Sequence, residues 1–190
     1  MFGKKPAPPP VAQPKPQAPS QPAKPSGWAA QVLTADYIAS GYMPPVPDMP
    51  LVGFLNIPTQ PTLVLTNAQL QALGPQAVIA NATPSEITIP KASLIAFIPR
   101  DEAGMRSAAM QMPQRAERAV VYAGPYLIRA ALMLVGDLPL RNFFGTGGGS
   151  LVAVTDAEVT CQVPGAQFTP LKAPLLILNK ALVQLYHPGN

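Results

Sequence analysis

The chain has few of the side chains from which most enzyme and metal sites are built. Its 190 residues include one cysteine and one histidine, and only 12% of them are charged. The single cysteine, Cys161, excludes an internal disulfide, and no Cys-x-x-Cys or Cys/His cluster is present for zinc. His187 has no serine or cysteine that the sequence links to it as a nucleophile. We therefore expect a protein that is not an enzyme, with no catalytic residue, metal, cofactor or small-molecule substrate.

Long apolar segments are also scarce. The segment closest to a membrane span, residues 119–135, has Arg129 near its middle and is interrupted by Gly124-Pro125. A charge at that depth costs about 2.5 to 3.5 kcal/mol on insertion scales, so we expect no membrane span. The N-terminal sequence MFGKKPAPPP has lysines without a following apolar stretch. A secretory signal is therefore not expected, and we predict a cytoplasmic protein.

The N-terminal segment differs in composition from the rest of the chain. Residues 1–26 contain nine prolines, four lysines and no acidic residue. A segment with so little to bury cannot recover its ordering entropy, so residues 1–27 are predicted to be a disordered tail. Prolines recur there at every third position after a lysine, which is typical of ligands for aromatic grooves. The predicted docking residues are Lys15, Pro16, Pro19, Pro22 and Pro25, and a plain solvated spacer is the alternative.

The net charge of the protein is confined to this tail. The formal charge of +4 equals the four tail lysines, which leaves nine basic and nine acidic residues in the remainder. Sequence-independent binding to nucleic acid needs a basic face on the folded domain, because lysine and arginine displace counterions from phosphates. We therefore do not expect nucleic acid as a partner of the folded part.

The remainder of the chain consists of two segments that resemble each other in sequence. When residues 30–101 are placed on residues 119–190 without a gap, 15 of the 72 positions are identical. About a fifth is well above the 6 to 8% that biased composition gives by chance, and fixed-period similarity is the signature of an internal repeat. The sequence thus predicts an internal duplication, with a first β repeat at 28–101, a partly helical linker at 102–117 and a second β repeat at 118–190.

Each copy predicts the same series of elements. QVLTADYIASGYM and VVYAGPYLIRAALML have the apolar and β-branched character of two strands joined by a tight turn. A short helical turn follows in DMPLVGFLN and DLPLRNFFG, where Asp48 and Asp137 are predicted to be structural helix caps. Three more strands follow, and we expect Pro90-Lys91 and Asn179-Lys180 to be two-residue hairpin connections with exposed lysines.

This order of strands and one helical turn resembles the small, partly closed barrels of the Sm-like and SH3-like kind. The resemblance implies an all-β fold made of two tandem, homologous small β-barrels or rolled-sheet domains. We expect the two copies to pack through a pseudo-two-fold interface or through their edge strands. The glycine-rich loop GTGGGS, 145–150, has no counterpart in the first copy and no following lysine, so we predict a connection rather than a phosphate site.

These features together predict a non-catalytic structural or interaction protein. The duplicated body would mediate protein–protein contacts or self-assembly, and the proline-rich tail would dock on a partner. The alternative is a module that binds a ligand or nucleic acid on a barrel surface.

Overall fold

The computed structural model describes residues 27–46, 49–75, 77–108, 114–145 and 149–189. The tail docking residues and Asp48 therefore lie outside the described residues. We call residues 28–101 the first half and residues 114–189 the second half. The first half contains β1 (Trp28–Leu33), β2 (Tyr37–Met43), α1 (Leu51–Leu55), β3 (Thr62–Ala72), β4 (Glu86–Pro90) and β5 (Ala96–Pro99). A short helix, α2 (Glu102–Ala108), follows it.

The second half repeats this order. It contains β6 (Gln114–Ala123), β7 (Tyr126–Val135), α3 (Leu140–Phe143), β8 (Leu151–Cys161), β9 (Leu171–Asn179) and β10 (Val183–Pro188). In both halves the first two predicted strands pair with each other, and the helical turn and three further strands follow them. The strand β6 begins at Gln114, inside the segment that the sequence assigned to the linker, and the described start of that segment forms the helix α2.

All the strands belong to one antiparallel sheet, whose order is β10-β6-β7-β8-β9-β5-β1-β2-β3-β4. The fold is thus all-β, as predicted, but the described part forms one continuous ten-stranded sheet that is not closed, rather than two separate barrels. The physical reason is that β5 pairs with β1 on one side and with β9 on the other. An exposed strand edge is a template for further pairing, and here the second half covers the edge of the first.

The predicted hairpins at the two lysines are wrong. In each half a 3-10 turn, Lys91–Ser93 or Lys180–Leu182, separates the last two strands. These strands do not pair with each other, because β5 adds to β1 and β10 adds to β6. The chain therefore crosses over at each lysine instead of folding back on itself.

The sheet bends at one matched position in each half. Asn67 in β3 and Asp156 in β8 have positive φ angles of 48° and 50°, beside irregular register with the preceding strand. Asn and Asp tolerate this left-handed conformation better than other residues with a side chain. The Thr-Asn and Thr-Asp pairs at 66–67 and 155–156 are typical of a turn, whereas the structure shows a bulge within a continuous strand.

Two apolar clusters form the core, and each draws residues from both halves. One cluster is centred on the second half and includes Leu33 and Ile95 of the first. The other is centred on the first half and includes Leu175 and Ile177 of the second. The two halves therefore share their cores as well as their sheet.

The β6–β7 turn shows how closely the halves approach. Gly124, in that turn, has a φ of 55°, and a Cβ there would overlap the end of the Ile95 side chain. Glycine suits this position because it adopts the left-handed conformation without strain and leaves room for the Ile95 side chain.

Candidate functional site

The contact between β5 and β9 is the feature that organises the molecule, and we call it the junction. Ala96 pairs with Leu178 and Phe97 pairs with Ile177. The Asn179 backbone N–H extends this ladder by donating to the Ile95 carbonyl at 2.9 Å. In the offset that aligns the halves, β5 corresponds to β10 and β9 corresponds to β4. A two-fold relation would also pair β10 with β4, but these strands lie at opposite ends of the described sheet, so the junction is heterologous rather than two-fold.

Two asparagine side chains fasten the junction. Asn56, after α1, donates from Nδ2 to the Leu151 carbonyl at 2.8 Å and accepts from the Leu151 N–H at 3.0 Å. Asn179, which is 4% exposed, donates from Nδ2 to the Leu94 carbonyl at 2.9 Å. A hydrogen bond contributes about 0.5 to 1.5 kcal/mol net, and a buried partner left unpaired costs about 1 to 3 kcal/mol. These side chains therefore favour one register of the two halves.

The glycine-rich loop contributes to the same fastening. A Cβ at Gly149 would overlap the carboxamide of Asn56. The carboxamide cannot move aside without losing its bonds to Leu151. The described end of this loop thus serves a close approach between the halves, while residues 146–148 lie outside the described part.

A repeated lysine anchors the helical turn of each half, which corrects the prediction that both lysines are exposed. Lys91 is 9% exposed, and its Nζ donates to the Phe54 carbonyl at 3.1 Å and lies 5.1 Å from the centre of the Phe54 ring. Lys180 occupies the same place over Phe143, at 5.6 Å. Burial lowers the pKa of both lysines from the ordinary value for that side chain.

The predicted helix caps differ from those observed. The N-cap residue of α3 is Pro139, two residues after Asp137, so Asp137 is not its N-cap. The N-cap residue of α1 is Pro50, and Asp48 lies outside the described residues. A carboxylate does cap α2, because Asp101 Oδ1 accepts from the Gly104 N–H at 2.7 Å. Its second oxygen accepts from the Ala29 N–H at 2.6 Å, which ties α2 to β1.

A cavity of about 590 Å³ opens between the two halves beside the edge of β4. Its walls are mainly apolar, with Leu70, Ile87 and Ile89 on one side and Ile95 and Leu182 on the other. The Asp36, Tyr37 and Thr88 residues add polar groups to the lining. This volume lies within the range of about 300 to 1,000 Å³ that small-molecule sites occupy.

The other chemically reactive side chains are not brought together. His187 lies in β10, where its Nδ1 is 2.8 Å from the Pro188 carbonyl oxygen, and its ring is near that of Tyr122. Cys161 is a half-buried thiol at the end of β8. Among the described residues, no group of three or more His, Cys, Asp or Glu side chains is placed to hold a metal ion.

The described segments include no helix that is both long enough and apolar enough to cross a membrane. Comparisons of the chain with protein-family models, with curated proteins and with solved structures find no match.

Proposed function

We propose that this protein is a non-catalytic structural or interaction protein, made by internal duplication, whose two halves form one scaffold for protein–protein contacts or self-assembly. The observation that carries the proposal is the heterologous junction. It joins two halves of the same strand order and leaves one strand of each kind, β4 and β10, at the outer edges. Open strand edges are natural sites for pairing with another chain.

The matched anatomy of the halves supports duplication as their origin. At a constant offset, β3 and β8 have corresponding first and last residues, and α1 and α3 begin at corresponding residues. The positive φ angles recur at Asn67 and Asp156, which correspond in the same offset. Independent sequences would not be expected to share both the elements and this unusual backbone position.

The use of buried polar groups supports an architectural role over catalysis. Among the described residues, Lys91 and Asn179 are the buried charged or amide residues, while the buried Tyr126 hydroxyl has no hydrogen-bond partner. Both donate to backbone carbonyls that position the helical turn or the junction. Their hydrogen-bonding capacity is directed to the fold and not to a cleft in which a substrate could react.

The tail completes the proposal as a docking segment. Lys15 and the prolines at 16, 19, 22 and 25 keep the periodicity of a polyproline ligand. The balanced charge of the body supports a protein partner rather than nucleic acid, and the lone Cys161 suits the cytoplasmic location that we propose.

An affinity pull-down with the full-length chain and with a chain lacking residues 1–26 tests this function. We expect specific protein partners, some of which depend on the tail and some on the body. In parallel, the body should retain no RNA or DNA at moderate salt. Salt-resistant nucleic-acid binding by the tail-deleted chain would contradict the proposal, as would the recovery of no partner by either form.

The cavity between the halves favours one second candidate, the binding of a small apolar ligand. Its aliphatic walls and few polar groups are typical of such sites. Native mass spectrometry of the purified chain would detect a bound molecule as added mass. A ligand released by Ile89→Gln, and retained by a surface variant such as Gln69→Ala, would place it in this cavity.

A further inference from the structure

The outer edges of the sheet are the two separated halves of a second junction. The strand β10 occupies in the second half the position that β5 occupies in the first, and β4 corresponds in the same way to β9. In the described part of the chain, β10 pairs only with β6 and β4 pairs only with β3. By comparison with the internal junction, the β10 edge would pair with a strand like β9, and the β4 edge would pair with a strand like β5.

The backbone groups that face outward can be assigned from the ladder. The Gly189 N–H donates to the Arg118 carbonyl at 2.8 Å, and hydrogen bonds alternate along an antiparallel pair. The backbone groups of Leu185 and His187 thus face β6, and those of Tyr186 face outward, while the register shift between Val183 and Leu185 ends the regular alternation before Gln184. On β4 the same reasoning, from the bond between the Lys91 N–H and the Pro61 carbonyl, leaves the groups of Thr88 facing outward.

The side chains of β4 differ in polarity from the corresponding side chains of β9. At the junction, the side chains of Leu175, Ile177 and Asn179 are buried. The corresponding residues of β4 are Glu86, Thr88 and Pro90, and all three are exposed. Docking this edge as β9 docks would dehydrate a carboxylate at the place of a leucine, and Pro90 has no N–H to donate.

The edge at β10 has instead kept an apolar receiving surface. Phe97 of β5, which pairs with Ile177, corresponds to Tyr186 of β10. The Tyr186 ring lies 4.3 Å from that of Phe144, and Leu185 in the same strand is 58% exposed. An aromatic pair beside an open ladder offers both the hydrogen bonds and the apolar contact that a strand of β9 type needs.

We propose that the β10 edge is a docking surface for an antiparallel edge strand of another protein, and that this strand has the chemistry of β9. Such a strand has two large aliphatic side chains two residues apart, as Leu175 and Ile177 are, and the second of them lies opposite Tyr186 as Ile177 lies opposite Phe97. The chain's own β4 edge does not fit, so copies of the chain do not add to one another. This inference rests on the proposed interaction function, takes its protein–protein form rather than self-assembly, and names the partner's chemistry.

Full-length chains with an altered β4 edge serve as the partner in the test. The variant Glu86→Leu/Thr88→Ile/Pro90→Asn presents the chemistry of β9 and should associate head to tail with the β10 edge of the next copy. Light scattering after size exclusion should give a single-chain mass for the wild type and a mass that rises with concentration for the variant. Two newly buried aliphatic side chains predict association about a hundredfold tighter, or more, than that of the wild type.

Blocking the receiving edge makes the test specific. Adding Tyr186→Pro to the variant removes an outward N–H without touching the ladder to β6, as proline is tolerated on an edge strand. This chain alone should return to the single-chain mass. Mixed with the wild type, whose β10 edge is intact, it should form a one-to-one complex and nothing larger.

The outcomes separate this inference from the proposed function. Residues of both edges line the cavity between the halves, so a monomeric β4 variant could have joined its own β10 edge. A mixture of the Tyr186→Pro form with wild type that yields no complex would overturn the docking surface. Wild-type oligomers that Tyr186→Pro dissolves would overturn the exclusion of β4. If the triple variant does not fold by circular dichroism, Glu86→Leu/Thr88→Ile with Pro90 retained replaces it. Pull-down partners that bind Tyr186→Pro as well as wild type would preserve the proposed function while rejecting this edge.

Discussion

Replacing Asn56 with alanine should loosen the junction by an amount that its contacts define. The Asn56 side chain makes two hydrogen bonds to the backbone of Leu151, at 2.8 and 3.0 Å, and a third to the Val52 carbonyl at 2.9 Å. Leu151 is 3% exposed, so its backbone groups have little access to water once the carboxamide is gone. Two lost bonds at about 1 kcal/mol each, with incomplete rehydration of the partners, predict a loss of about 2 to 4 kcal/mol in the free energy of unfolding.

Urea denaturation followed by circular dichroism measures this loss directly, and for a chain of this size it corresponds to a fall in Tm of about 4 to 16 °C. The matched control is Asn81→Ala, whose side chain accepts from the Ala72 N–H at 2.9 Å in an exposed part of the first half. That change should cost less than about 1 kcal/mol, because water replaces the lost bond. Equal effects of the two substitutions would show that Asn56 does not fasten the halves, and the argument for a specific junction would fail.

Three further substitutions test neighbouring features by the same denaturation assay. Gly149→Ala should cost about 1 to 3 kcal/mol, because its Cβ would overlap the Asn56 carboxamide; an unchanged midpoint would contradict that contact. The Tyr126 hydroxyl is buried and has no hydrogen-bond partner among the described residues, whereas the hydroxyl at the corresponding Tyr37 accepts from a backbone N–H at 2.8 Å. Tyr126→Phe should therefore be neutral or stabilising and Tyr37→Phe destabilising by up to about 1 kcal/mol, and the reverse order would refute the assignment. Burial lowers the pKa of Lys91 in the folded state, so the folded protein loses this proton at a lower pH than the unfolded chain does. The free energy of unfolding of the wild type, relative to that of Lys91→Met, should therefore rise as the pH approaches 10.5. A relative stability that falls over that range would contradict the burial of this amine.

The local elements could be predicted from the sequence because each copy repeats the same local signals. A proline followed by apolar residues at helical spacing predicted the turns that become α1 and α3. Apolar and β-branched segments broken by Gly124-Pro125 predicted the strands β6 and β7. These signals act over a few residues, and the offset between the copies allowed each to be read twice.

The pairing of strands across the molecule could not be predicted, because it depends on which edges meet. Nothing near Lys91 shows that the chain turns away into β5 instead of forming a hairpin. The lysine was expected to be exposed, yet it folds back over Phe54. The sequence did contain one signal, since Lys91 and Phe54 both recur in the second half, as Lys180 and Phe143. A lysine that served only solubility would not need to recur together with the phenylalanine.

The junction itself had a signal in the differences between the copies. Identical positions report what each half needs in order to fold, and they include the lysines and the helical turns. At some positions one half has an apolar or asparagine side chain and the other half does not. These positions indicate contacts that only one of the two halves makes. Leu175 against Glu86 and Asn56 against Gly145 are such positions, and in the structure the first member of each pair lies at the junction. Comparison of the copies for polarity as well as identity would have located it.

If the halves arose by duplication, as we propose, the heterologous geometry of the junction gives a physical reason for these differences between them. A two-fold interface makes each contact twice, once in each direction, and closes after two units, so its halves can remain identical. A head-to-tail interface leaves one unlike edge at each end, and identical halves would continue to add further units without limit. The described sheet ends at β4 with Glu86, Thr88 and Pro90 exposed, which are the kinds of residue that blunt an edge. A duplicated unit that must not add a third unit needs polar substitutions on one outer edge strand while the strands of the junction stay apolar. Reversing the substitutions on β4 should therefore restore the addition of further chains at that edge alone.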